Sequence, residues 1–228
     1  MLKAVIFDFD GVICDSELLH YKALNRVFNR YGVDVPKEVH WAKYLGYSDL
    51  ENIEAVNRDY KMGWDAAVIN RLMKEKKILF EELAGQESII IDGVETFVRR
   101  LMDAGIRCAI CSGALRSDIE LMLRGADFAK AFEVIVSADD VRYGKPHPEG
   151  YILTLKRLNQ NSNTIINPYE CVVIEDSHWG LEAATAAGMH PVAVTTTYPA
   201  EQLNGKAQII VNRLDELNMD DMENICRN

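Results

Sequence analysis

Apolar residues along this chain follow two rhythms. Residues 4–9, 107–111, 171–175 and 191–195 form short, nearly continuous apolar runs, the pattern of strands buried on both faces. Each run is followed by a turn rich in Gly, Ser or Asp and then by a helical periodicity. Residues 134–137 and 208–211 supply a fifth and a sixth strand. Helices are predicted at 94–104, 116–123, 148–158 and 181–187, with Gly105 and Gly188 placed where helices end. Strands alternating with helices of this length make βαβ units and a parallel sheet, an α/β fold.

The stretch 15–84 breaks the rhythm. It reads as consecutive helices, at 18–31, 38–45, 49–60 and 64–83, separated at Gly32, Pro36, Gly46 and Gly63. Seventy helical residues are too many for a simple crossover between strands. The organisation expected is an α/β core of residues 1–14 and 85–228, with an inserted helical domain of residues 15–84 above the carboxyl edge of the sheet. After Leu217 the tail reads as a terminal helix that frays.

Ligands of open α/β sheets bind outside the carboxyl ends of the strands, so the polar residues just after each strand carry the chemistry. Asp8 and Asp10 follow the first strand, and Gly11 lets the chain turn there. Ser112 and Gly113 follow the second. Lys145 stands in Lys145-Pro146-His147-Pro148, just outside a helix. Glu175 and Asp176 end the fourth-motif strand. Four acids gathered at one edge repel one another unless a divalent cation joins them, and hard oxygen donors favour Mg²⁺. Lys145 and Ser112 supply the charge and donor groups that phosphoryl oxygens need. A carboxylate beside Mg²⁺ is a competent nucleophile at phosphorus.

These residues resemble the haloacid dehalogenase superfamily. The D-x-D-G-V of Asp8–Val12, Ser112, the K-P-x-P of Lys145–Pro148 and the E-D of Glu175–Asp176 stand in that family's motif order. A lone D-x-D-G arises by chance in roughly a few per cent of chains this long, but four motifs in order are far more specific. The resemblance covers nearly the whole chain and implies a Rossmann-like core with a small inserted helical cap, similar to the beta-phosphoglucomutase-like and phosphoglycolate-phosphatase-like subfamilies. It implies Asp8 as nucleophile and Asp10 as general acid/base. Mg²⁺ would be held by Asp8, the Asp10 carbonyl and Asp176, with Glu175 a ligand or a partner of the ligands. Ser112, Gly113 and Lys145 would grip the phosphoryl group.

The resemblance extends to the cap. His20 matches a substrate-side histidine, although a lone helix histidine is more often structural. The turn containing Gly46 and Tyr47 resembles a specificity loop, and Tyr47 or Trp41 could line an entrance or simply pack. Asp49 departs from the mutase pattern, where an arginine would hold a distal phosphate; an aspartate would repel one. Lys74, Lys76 and Lys77 form a charge run on a helix, usually a solvated face.

The activity implied is Mg²⁺-dependent hydrolysis of a small phosphate monoester, a sugar phosphate or similar metabolite, through an aspartyl-phosphate. The alternatives are a sugar-phosphate mutase and a non-catalytic binder of a phosphorylated metabolite. Haloacid dehalogenation is disfavoured because that branch lacks a second acid at the position of Asp10. Phosphonate cleavage would need an imine-forming cap lysine. A phospho-accepting receiver domain would be about half this length. Residues near Asp15 and Gly85 are expected hinges for closing the cap against water.

Composition changes little in this picture. The 228 residues are 48% hydrophobic and 26% charged, with a net charge of −10, which argues against a nucleic-acid or anionic-membrane surface. Residues 4–9 are too short an apolar run for a signal peptide or membrane span, so cytoplasmic residence and a monomer are the expectations. Five cysteines have no framework spacing. Cys108 and Cys111 form a C-x-x-C, but inside a strand they are core thiols rather than a redox pair, which needs a helix N-terminus.

Overall fold

The computed structural model describes residues 1–45, 47–85, 90–160 and 164–227. The chain divides into two compact units, Met1–Asp15 with Ile90–Asn228, and Ser16–Ile89.

The first unit is built on a six-stranded parallel sheet: β1 (Ala4–Phe7), β2 (Arg107–Cys111), β3 (Phe132–Val136), β4 (Cys171–Glu175), β5 (His190–Val194) and β6 (Ile209–Val211), in the order β3-β2-β1-β4-β5-β6. Every residue of β1 and β4 is buried, because helices cover both faces of such a sheet. Phe7 meets Phe97 and Phe132 edge-on, with ring centroids 5.9 and 5.5 Å apart, each pair contributing about 0.5–1.5 kcal/mol beyond area burial. The strand order reverses between β1 and β4, which are direct neighbours with Phe7 opposite Ile174. A crevice opens at such a reversal, and Asp8 and Glu175 stand at its lip.

The second unit holds α1 (Ser16–Arg30), α2 (Lys37–Lys43), α3 (Asp49–Asp59) and α4 (Ala66–Ala84). Buried Leu19, Ala23 and Val27 recur at helical spacing on α1, as do Leu72, Leu79, Phe80 and Leu83 on α4. Ser48 and Glu51 close a reciprocal capping box that starts α3. The first unit carries α5 (Val94–Asp103), α6 (Arg116–Met122), α7 (Glu149–Gln160), α8 (His178–Ala186), α9 (Ala200–Leu203) and α10 (Met219–Ile225).

Several boundaries differ from the sequence expectation by a residue or more, and hydrogen bonds give a local reason at four of them. The first strand ends at Phe7 rather than residue 9, because the Phe9 carbonyl turns inward to accept Ile13 N (2.9 Å) and Cys14 N (3.0 Å). The third strand in the chain ends at Val136, because Ser137 leaves the sheet to donate its N–H and hydroxyl to Asp140 Oδ2 at 2.9 and 3.0 Å. The helix expected at 64 starts after Asp65, whose side chain caps Val68 N, while Asn57 brackets the Trp64 backbone at 2.9 Å on both its N–H and its carbonyl. The helix expected at 181 starts at His178, because Ser177 caps Gly180 N. The C-terminal tail is anchored rather than frayed: Met222 is fully buried and Cys226 nearly so. All five cysteines are free and buried. Burial pushes the thiols of Cys108 and Cys111 up to about 12 and 11, which leaves both unreactive as nucleophiles. Among the described residues no helix is long and apolar enough to cross a membrane.

Candidate active site

The loop after β1 is shaped for close packing. Asp8 N still donates to Ile174 O at 2.9 Å, so the Asp8 side chain is held at the sheet edge. Gly11 has φ +76°, and a Cβ there would overlap the Asp176 carboxylate; only glycine fits. Gly180 is required for a parallel reason, since a Cβ would occupy the space of the Glu175 carboxylate. Carboxylate oxygens of Asp8, Glu175 and Asp176, all buried, lie within 4.8 Å of one another.

Lys145 joins this cluster from the loop before α7, where the Lys145–Pro146 peptide is cis. Its ammonium donates to Asp8 Oδ1 (2.5 Å), Glu175 Oε1 (2.6 Å) and the Cys111 carbonyl (3.1 Å). An ammonium has three protons, and all three are committed. Ser112 Oγ donates to Asp10 Oδ2 at 3.4 Å and accepts from Ala114 N at 2.9 Å. Gly113 lines, with Ser112, Lys145, Arg142, His147 and Tyr151, a cavity of about 220 Å³.

Electrostatics follow from burial. Desolvation raises the Asp8 carboxyl well above the usual range against the pull of Lys145, and Glu175, Asp176 and Asp10 add to the rise. Burial and Glu175 push Asp176 up to about 7, with Thr197 drawing it partly back. Burial works against the Lys145 ammonium, yet Asp8 and Glu175 outweigh it and hold the lysine charged. One ammonium cannot neutralise this many carboxylates, so the site favours either protons or a further cation.

The residues expected from the motifs therefore fall into two groups. Asp8, Asp10, Ser112, Gly113, Lys145, Glu175 and Asp176 are brought together in the first unit. His20 lies in the second, its ring tilted by 32° against that of Phe80 with centroids 4.4 Å apart. Gly46 lies outside the described residues. The lysine run corrects one expectation. Lys74 and Lys77 are exposed, but Lys76 is 2% exposed. Its ammonium donates to Asp49 Oδ2 (2.7 Å), lies 2.6 Å from His20 Nδ1 and sits 4.6 Å from the Phe80 ring centre. Lys76 falls on the buried face of α4, four residues from both Leu72 and Phe80, a phase that the run of three charges obscures.

Two contacts have no motif to announce them. Thr197 Oγ1 donates to Asp176 Oδ2, and the Tyr151 hydroxyl donates to Glu175 Oε1 at 2.6 Å. The strand-end rule could have found Thr197, which lies in the polar run following β5. Tyr151 gives no such signal, because it reads as one more apolar position of α7.

A parallel sheet whose β1–β4 reversal gathers acids, a charged lysine and a serine hydroxyl defines a phosphoryl-transfer enzyme of the α/β class. The chain belongs to the haloacid dehalogenase-like hydrolase family, whose model matches residues 5–194. A phosphorylated carbohydrates phosphatase of Thermotoga maritima is 33% identical over 192 residues, 84% of each chain. The crystal structure of CbbY from Rhodobacter sphaeroides in complex with phosphate is 27% identical, covers 98% of this chain and 100% of its own, and superposes with a TM-score of 0.78. Beta-phosphoglucomutase of Clostridium difficile is 25% identical, with 100% and 98% coverage and a TM-score of 0.76. Several curated relatives are phosphatases, and the chain is a phosphoric monoester hydrolase.

Proposed function

We propose that the chain hydrolyses small phosphate monoesters, sugar phosphates or similar metabolites, with Mg²⁺ and through a phosphoryl group carried on Asp8. The observation that supports this best is the Asp8–Lys145 contact inside a cluster of carboxylates within 4.8 Å of one another. The cluster fits a hard cation: its donors are carboxylate oxygens, and Gly11 leaves the Asp176 carboxylate uncovered by a side chain. Asp8, Asp176 and the Asp10 carbonyl would hold Mg²⁺, with Glu175 in reach. When bound, the cation supplies charge that offsets the phosphoryl oxygens.

In the first step Asp8 attacks phosphorus, the bond to the ester oxygen breaks, and Asp10 gives its proton to the departing alcohol. In the second step Asp10 takes a proton from water, the water oxygen attacks phosphorus, and Asp8 is released with inorganic phosphate. Ser112 and Gly113 would orient the phosphoryl oxygens. For Lys145 to reach them it must exchange one of its three partners, and Asp8 Oδ1, the atom that takes up phosphorus, is the partner whose demand changes.

The helical unit would act as a cap, with His20 and Lys76 as its substrate-side groups. Asp49 already neutralises Lys76, which favours substrates bearing a single phosphate over bisphosphates. A mutase of the beta-phosphoglucomutase type is the second reading, favoured by the likeness to that enzyme and opposed by the Asp49–Lys76 pair. Incubation with a panel of metabolite phosphates and Mg²⁺ tests both. Release of inorganic phosphate supports hydrolysis, whereas interconversion of sugar phosphates without release would replace it with the mutase reading.

A further inference from the structure

Glu175 has no lone pair to spare. Its Oε1 accepts from Lys145 Nζ (2.6 Å) and Tyr151 OH (2.6 Å). Its Oε2 accepts from Ser177 Oγ (3.1 Å), Asp176 N (3.2 Å) and Ser177 N (3.4 Å). A carboxylate offers about four acceptor sites, and five donors converge on this one. The carboxylate is fully buried, and the absent Cβ of Gly180 makes its seat. Tyr151 is 1% exposed, and its ring lies below Lys145, whose Nζ is 5.3 Å from the ring centre.

From this geometry we propose that Tyr151 is a positioning residue, which locks Glu175 as the anchor of Lys145, and that Glu175 does not ligate the cation directly. The proposal deepens the phosphatase reading and rests on it. Lys145 has two fixed partners, Glu175 Oε1 and the Cys111 carbonyl, and one exchangeable partner, Asp8 Oδ1. The fixed pair keeps the ammonium beside the nucleophile while its third N–H turns from Asp8 Oδ1 to a phosphoryl oxygen. Tyr151 contributes by filling the second acceptor site of Oε1, so the carboxylate cannot rotate away from the lysine. Ser177 and the two backbone N–H groups clamp the other oxygen in the same sense. A tyrosine in a helix is thereby coupled to phosphate affinity without touching phosphate.

The test uses the full chain as wild type, Tyr151→Phe and Glu175→Gln. Binding of Mg²⁺ alone, and of inorganic phosphate in the presence of saturating Mg²⁺, is measured by titration calorimetry, with thermal unfolding as a check on folding. For Tyr151→Phe the expected result is phosphate binding weakened roughly tenfold, the scale of a lost buried hydrogen bond to a charged group, with Mg²⁺ affinity within about twofold of wild type. Glu175→Gln keeps the shape of the anchor and removes its charge, so phosphate binding should weaken by about tenfold or more; if Tyr151→Phe does not fold, unchanged phosphate binding in Glu175→Gln overturns the proposal. For Tyr151→Phe, unchanged phosphate binding, or Mg²⁺ affinity lowered along with it, overturns the proposal, because a merely structural residue would give those results. The readouts need no turnover. A wild type that binds phosphate but hydrolyses no monoester would refute the phosphatase reading and still leave the role of Tyr151 decided.

Discussion

Asp8 and Lys145 are 137 positions apart in sequence, and their Oδ1 and Nζ atoms meet at 2.5 Å. The contact joins the tip of the central strand to the loop that opens α7. It places a positive charge beside a buried carboxyl that burial and the neighbouring acids still hold well above the usual carboxylate range. A nucleophile must be ionised, so this pairing, and any further cation the acids take up, is where fold stability and proposed chemistry meet.

Replacing Asp8 by Asn removes the attacking oxygen while keeping its shape. Hydrolysis of an aryl phosphate with Mg²⁺ should fall by roughly a thousandfold or more, as for other covalent nucleophiles. Steady-state phosphate release measures it. An Asp8→Asn variant with near-normal turnover would move the nucleophile elsewhere.

Lys145→Ala strips the ammonium from Asp8, Glu175 and the Cys111 carbonyl at once. Breaking a buried ion pair from one side costs about 3–5 kcal/mol, so urea unfolding should shift to markedly lower midpoints. A loss under about 1 kcal/mol, the scale of exposed pairs, would show that the cluster is solvated instead.

Chelation offers an independent check on the cation. If Mg²⁺ binds among the carboxylates of the folded site, supplying it at a hundred times its Kd stabilises the protein by about 2.7 kcal/mol. For a chain of this size that is a rise in Tm of about 5 °C or more over EDTA-treated protein. Differential scanning fluorimetry reads it directly, and Asp176→Asn should abolish the increment.

In the helical unit, Asp49→Ala leaves the Lys76 ammonium buried without its carboxylate. Asp49 is 30% exposed, so the cost should be about 1–2 kcal/mol rather than that of a fully buried pair. In a substrate panel the same variant should tolerate bisphosphates better than wild type does, since an opposing carboxylate is gone.

Acid stability has its own determinants away from the site. Lys3 beside Glu170, aided by Asn167, holds that carboxyl down from 4.5 to about 2. Arg157 holds Asp140 well below the carboxylate range, with Ser137 and Arg116 assisting. Both carboxylates are depressed in the folded state, so their contribution is complete above the unfolded value and disappears as pH falls through the folded one. Thermal midpoints should therefore drop between about pH 4.5 and pH 2. An Asp140→Asn variant should lie below wild type at pH 7 and converge on it in acid.

Much of the molecule was legible before any coordinates. The apolar runs at 107–111 and 171–175 coincide with β2 and β4, because a strand covered on both faces is predominantly apolar, with Arg107 and Glu175 only at the strand ends. Asp8, Ser112, Lys145, Glu175 and Asp176 could be singled out because each stands where a strand or its following loop ends, a position that local sequence marks. Helix starts were less visible: His178 and Ala66 depended on whether Ser177 and Asp65 turned their side chains back onto the backbone.

What the chain determines by itself is the set of elements and the acids at their tips, since hydrophobic period and turn chemistry are local quantities. What only the tertiary structure decided is who meets whom. The β1–β4 pairing brings Asp8 beside Glu175 and Asp176, the α7 packing slides Tyr151 under Lys145, and the α1–α4 packing buries Lys76 between His20 and Asp49. The side-chain hydrogen bonds that join Asp8, Lys145, Glu175 and Tyr151, and Lys76, His20 and Asp49, span 24 to 137 residues, and their energies come from excluding water around opposed charges, a property of the assembled site that no stretch of sequence carries alone.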